Sequence, residues 1–115
     1  MSPSRQPPPR AKARNSTLPT GLVLDPLYRE HRTGSHHPES PDRYDAIVHA
    51  LDHTHLGPAV LRLSARDAAE AEIALCHTAN YIGMVQREIL MGADHLSTGD
   101  TTLSPESWDV AIRAV

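Results

Sequence analysis

Gly34-Ser35-His36-His37-Pro38-Glu39-Ser40-Pro41-Asp42-Arg43 divides a polar stretch from an apolar-periodic one. Gly34 and Ser35 are breakers. Ser40 suits a helix N-cap, Pro41 the first helical position, and Asp42 the positive end of the helix dipole. Tyr44, Ile47, Val48 and Leu51 then recur at helical spacing, which predicts a helix from Pro41 that Gly57-Pro58 ends.

Upstream, Thr20 to Leu24 is a short apolar run that stops at Asp25-Pro26 and reads as a buried strand. Asp25 to His37 reads as a loop. Residues 1–19 hold five prolines and four basic residues, Arg5, Arg10, Lys12 and Arg14, with no acid. This composition cannot build a core and predicts a disordered basic arm, leaving 20–115 as the folding unit. Downstream, Val60 to Leu63 reads as a second strand. Ser64 with Asp67 resembles a capping arrangement for a helix over Ala68–Leu75. Thr78 reads as the next N-cap, before an apolar stripe of Tyr81, Ile82, Val85 and Ile89. Gly92 to Leu103 reads as a polar loop. Ser104-Pro105-Glu106 repeats the cap, proline, acid start for a last helix with Trp108, Ala111, Ile112 and Val115 on one face. A strand, a helix, a strand and then helices define an α/β class.

The formal charge of −3 is unevenly spread. The arm carries +4, so the rest has seven basic and fourteen acidic residues, −7. Such an acidic body without aromatic–basic interleaving argues against nucleic acid as a partner. No apolar run reaches membrane-spanning length, and the arm lacks the apolar segment of a secretory signal, so no membrane partner is expected. Cys76 is the sole cysteine and forms no intrachain disulfide. The expected location is the cytoplasm.

Eight histidines invite a metal reading. Adjacent His36 and His37 point apart and make a poor chelate. Asp45, His49 and His53 are spaced i, i+4, i+8 on one helix face, opposite Tyr44 and Ile47. They form either a solvated face or a zinc-responsive patch on a small stand-alone helical module. Arg43 falls in the first helical turn, where a cation opposes the dipole by about 0.3–1 kcal/mol. It therefore calls for another partner, either Glu39 or Glu30 in a surface ion pair or, functionally, an anion, a carbonyl or a channel. Asp100 sits in a polar loop shortly before the last helix. It is either an Asx-turn acceptor or a carboxylate offered to a ligand.

The phrase His37-Pro38-Glu39 with Pro41 and Arg43, then His77-Thr78 with Tyr81-Ile82, then Asp100-Thr101 with Ser107-Trp108, occur here in one order. In that order they resemble the opening part of the zinc-dependent histone deacetylase family, especially its acetoin-utilization and acetylpolyamine amidohydrolase-like branch. The resemblance spans about Leu22 to Val115. It implies the N-terminal part of a three-layer, parallel-sheet arginase-deacetylase fold, incomplete in this chain. In such a parent, zinc held by two aspartates and a histidine polarises the acyl carbonyl and activates water. A histidine pair moves protons, and a tyrosine stabilises the oxyanion. The resemblance places all of those residues beyond Val115, so the chain itself is expected to be inactive, with no catalytic residue and no zinc of its own. It implies that Arg43 lies by the internal channel and Asp100 on the rim of the substrate tunnel. His36 and His37 precede the Pro-Glu signature and are not the catalytic pair. The implied substrates are an acetylated protein, a polyamine or a small acetylated molecule.

Overall fold

A computed structural model describes residues 18–115; most of the predicted arm lies outside the described residues. The first strand, β1, is Thr20–Val23, one residue shorter than expected and largely exposed rather than buried. It pairs in parallel with β2, Val60–Leu63, in the register Thr20 to Val60 and Val23 to Leu63. Parallel partners need a crossover rather than a hairpin, and the chain from Leu24 to Ala59 supplies it. The α/β expectation holds as a mixed helix and strand fold around a parallel two-stranded sheet.

Helix α1 is Pro41–Asp52. Ser40 occupies the N-cap in an extended conformation, but its hydroxyl makes no capping bond. Pro41 sets the start instead, because it excludes the helical region for the residue before it and suits the first helical position itself. The helix stops at Asp52, where the His53 N–H bonds the His49 carbonyl. Gly57-Pro58 does not end α1; both residues lie inside a separate one-turn helix, α2, Leu56–Ala59. The glycine serves a different purpose. The chain folds back so closely that a Cβ at Gly57 would overlap the Leu51 carbonyl oxygen.

The predicted loop after β1 contains a 3₁₀ turn, Pro26–Glu30. Asp25 opens it, its Oδ1 accepting the Leu27 N–H at 2.9 Å. The turn is wedged between α1 and the last helix, α5, Ser107–Ala114. On one side the Tyr28 ring meets Tyr44 edge-on at 6.1 Å, and Arg29 pairs with Asp45. On the other, the Tyr28 hydroxyl donates to the Arg113 carbonyl at 3.1 Å.

Between β2 and α5 lie α3, Glu70–Ile73, and α4, Ala79–Leu90. The expected helix over Ala68–Leu75 shrinks to the single turn α3, and Ser64 does not cap it. Asp67, the other half of that arrangement, is taken by Arg113 at 2.6 Å. Glu72 takes over, reaching back to the Ala69 N–H at 2.8 Å while pairing with Arg66 at 2.6 Å. Helix α4 follows expectation at both ends. Thr78 Oγ1 accepts the Tyr81 N–H. At its end Gly92, at φ 78°, allows the Ala93 N–H to reach the Glu88 carbonyl and the Gly92 N–H that of Ile89. These are the two bonds of a Schellman stop, which needs the left-handed residue.

The core is small. Ile82, Leu96 and Leu103 are its buried apolar members, and no described side chain is fully enclosed. Leu61 and Leu63 on β2 remain about half exposed.

Two outcomes follow from this packing. Gly57→Ala should lower stability by about 1–3 kcal/mol in urea unfolding, since the methyl meets backbone that cannot swing aside; Gly99→Ala, with open space around it, should leave the midpoint unchanged. Glu72 is held at about 2, chiefly by the Arg66 hydrogen bonds and then by the Ala69 N–H. Its folded value lies below the unfolded one, so its contribution to stability is full above the ordinary glutamate range and is lost as pH falls toward 2. A carboxyl NMR titration should find Glu72 still ionised at about pH 3, where an unperturbed glutamate is protonated, and Arg66→Ala should move it back up.

Candidate functional site

The Asp100 loop is built from α4 outward. Past the Gly92 stop, the chain descends, turns and returns as a narrow loop. The Leu103 N–H bonds the Asp94 carbonyl at 2.8 Å, and the Leu96 N–H bonds Thr101 at 2.9 Å. His95 and Thr102 form an isolated antiparallel bridge. Leu96 and Leu103, one on each limb, are buried at 6% and 8% exposure and anchor the loop beside Ile82. Glu88 on α4 grips the descending limb. One carboxylate oxygen accepts the Ser97 N–H at 2.8 Å and the other the Ser97 hydroxyl. Those bonds, the hydroxyl first, hold the Glu88 carboxyl below its usual range. His95 does the same to Asp94.

Asp100 stands at the tip of this framework. It is exposed, and among the described residues its carboxylate takes no hydrogen bond and no ion pair. The Asx-turn alternative is therefore not what the geometry shows. The structure offers a fixed platform carrying an acceptor with all its lone pairs free.

Arg43 is placed otherwise. Its guanidinium lies on the Glu39 carboxylate at the surface, the nearer of the two surface partners the sequence offered. Glu39 is itself fixed, its carbonyl accepting the Thr33 hydroxyl and its N–H bonded to His37 Nδ1 at 3.0 Å. No contact joins Arg43 to Asp100.

The two regions are nevertheless stapled together by residues to which the sequence reading gave no such role. Ser104 Oγ accepts the Arg32 N–H and donates to the Glu30 carbonyl, both at 3.1 Å. Ser107 Oγ lies 2.8 Å from His31 Nδ1 and accepts the Ser104 N–H at 2.7 Å. The segment leaving the Asp100 loop is thus fastened to the one entering the His37-Pro38-Glu39 turn. Ser104 had read as the cap of the last helix. Its hydroxyl is engaged by the Glu30–Arg32 backbone instead, and α5 begins three residues later at Ser107. Ser104-Pro105-Glu106 signals a helix start, but nothing local to it identifies His31 as a partner.

The histidine patch on α1 takes a different form from a chelate. His49 and His53 stack with centroids 4.0 Å apart, His53 Nδ1 faces the His49 carbonyl, and Asp45 is occupied by Arg29. Among the described residues no three His, Cys, Asp or Glu side chains converge in a way that would hold a metal ion.

Between α3, α4, the Asp100 loop and α5 lies an open apolar cavity of about 510 Å³. Ile73, Tyr81, Val85, Ile89, Trp108 and Ile112 line it, with His31 at its wall.

The family model described as the histone deacetylase domain matches residues 37–115. That stretch begins within the His37-Pro38-Glu39 turn and runs through the Asp100 loop and α5. The chain belongs to the histone deacetylase family. Over 58 residues, half of its length, it is 36% identical to human polyamine deacetylase HDAC10, and the match spans 9% of that protein.

Glu88→Gln should loosen the loop without unfolding α4. Amide exchange at Ser97 should rise, while the amides of residues 82–86 on the preceding helical turns keep their protection.

Proposed function

We propose that the chain is the N-terminal part of a zinc-dependent deacetylase, in which it supplies the substrate-facing rim while other parts of the protein perform the chemistry. The observation that carries this reading is the unengaged Asp100 carboxylate on a loop secured at Glu88, Leu96 and Leu103. A surface turn needs no such anchoring. A rim acceptor does, because a hydrogen bond to substrate gains strength only when the acceptor is already positioned. A carboxylate at the rim accepts the N–H groups flanking an acetylated amine, or a cationic group further along the substrate.

In this reading zinc belongs to the whole protein and is held by residues outside this chain, where it would polarise the acetyl carbonyl. The chain alone is inactive. Substrates are acetyl amides with a linear amine: an acetylated protein, a polyamine or a small metabolite. The polyamine reading draws support from the human relative, a polyamine deacetylase. Arg43 is proposed as the channel residue, reached once Glu39 releases it; its present ion pair is what a cation at the start of a helix adopts when no other anion is near. The exposed Cys76 thiol suits a reducing cytoplasm.

The test compares the 115-residue chain with a longer product of the same reading frame, on an acetyl-lysine peptide and on an acetylated polyamine. The longer protein should release acetate in a chelator-sensitive manner and the short chain should not. Asp100→Ala in the longer protein should reduce kcat/KM about 10–100-fold, the equivalent of one charge-assisted hydrogen bond of about 1.5–3 kcal/mol. A longer protein that cleaves neither substrate overturns the deacetylase reading; full activity in the Asp100 variant overturns the rim assignment alone.

A further inference from the structure

The hydroxyl staple has a property that emerges from counting protons. Ser104 and Ser107 are both buried, and each hydroxyl has one proton and two lone pairs. The Glu30 carbonyl can only accept, so the Ser104 proton is committed to it at 3.1 Å. Ser104 Oγ also accepts the Arg32 N–H. The two hydroxyl oxygens lie 3.1 Å apart. That contact needs a proton, and the one left is on Ser107. Ser107 Oγ uses one lone pair for the Ser104 N–H at 2.7 Å. Only its second lone pair remains to face His31 Nδ1 at 2.8 Å. The ring closes with every proton and lone pair used, provided Nδ1 carries a hydrogen. If Ser107 donated to Nδ1 instead, two buried oxygens would meet lone pair to lone pair, against the desolvation cost of an unsatisfied polar group. No buried side-chain polar atom among the described residues lacks a partner.

We infer that His31 is locked as its Nδ1–H tautomer and presents an unprotonated Nε2 at the wall of the apolar cavity, as a positioned acceptor for an N–H or O–H donor entering there. The bond at one ring nitrogen decides the state of the other. Nε2 has no partner among the described residues, and the ring borders the same cavity as Trp108 and Tyr81. His31 is thus a positioning residue twice over. Through Nδ1 it orients Ser107 and with it the start of α5, and through Nε2 it adds a polar atom to a largely apolar recess that Glu72, His77 and Thr101 also border. This inference stands independently of the deacetylase reading.

The test is spectroscopic, on the chain labelled with ¹⁵N-histidine, at a pH where the ring is neutral. Two-bond nitrogen–proton correlations should show Nδ1 protonated and Nε2 bare for His31, and Ser107→Ala should abolish the preference. A protonated Nε2, or two averaged nitrogens as in a free imidazole, overturns the inference. Side-chain replacement gives a second reading. His31→Asn retains a donor near the Nδ1 position and should keep the urea midpoint close to that of the parent, whereas His31→Asp, which can only accept, should fall to the level of His31→Ala. Equal tolerance of Asp and Asn would show that Ser107 is the donor and overturn the inference by a separate route.

Discussion

A single guanidinium on α5 joins the two strands to everything that follows them. Asp25 stands just past β1 and Asp67 just past β2. Arg113 reaches both, through Nη1 to Asp25 at 2.9 Å and through Nε to Asp67 at 2.6 Å. A planar fork of donors suits two separate carboxylates better than an ammonium would. The Ala68 N–H adds a backbone bond to the Ile112 carbonyl at 2.7 Å, and the Tyr28 hydroxyl bonds that of Arg113. Burial, then the nearby Asp25 charge, pushes the Tyr28 phenol above its ordinary range, so it remains a donor. Two four-residue strands have little stability of their own. Their ends are tied down by a residue from the far end of the described chain.

The same carboxylate works in two directions. Asp25 Oδ1 starts the 3₁₀ turn and Oδ2 receives Arg113. The turn then presents Tyr28 and Arg29 to α1. Strand end, turn, first helix and last helix are therefore linked through one acid.

Much of this was legible in the sequence wherever the signal was local. The start of α1 at Pro41, the Thr78 cap, the Gly92 stop and both strands follow from residues that act on their own backbone. What was not legible depends on partners remote in the chain. Gly57 looked like a terminator and is a contact point with Leu51. Asp67 looked like part of a cap and is a ligand of Arg113. Ser104 looked like a cap and is a staple to Glu30 and Arg32. In each case a short polar or small residue has two uses with one local signature, and tertiary contact chooses between them. The candidate site divides the same way. The loop around Asp100 was visible from its composition, but its tie to Glu88 was not, because that residue lies between the apolar positions of α4 and carries no mark of that function. The free state of the Asp100 carboxylate likewise depends on the absence of neighbours, which a sequence does not display.

The Schellman stop and the paired leucines separate the foundation of the Asp100 loop from its crown. Leu96 and Leu103 are committed to the interior, whereas Thr98, Gly99 and Asp100 are exposed, with only the Gly99 N–H turned back to the Leu96 carbonyl. Side chains at exposed loop tips of this kind vary with little effect on the scaffold below them. A lineage can therefore exchange one crown for another while inheriting the same foundation unaltered.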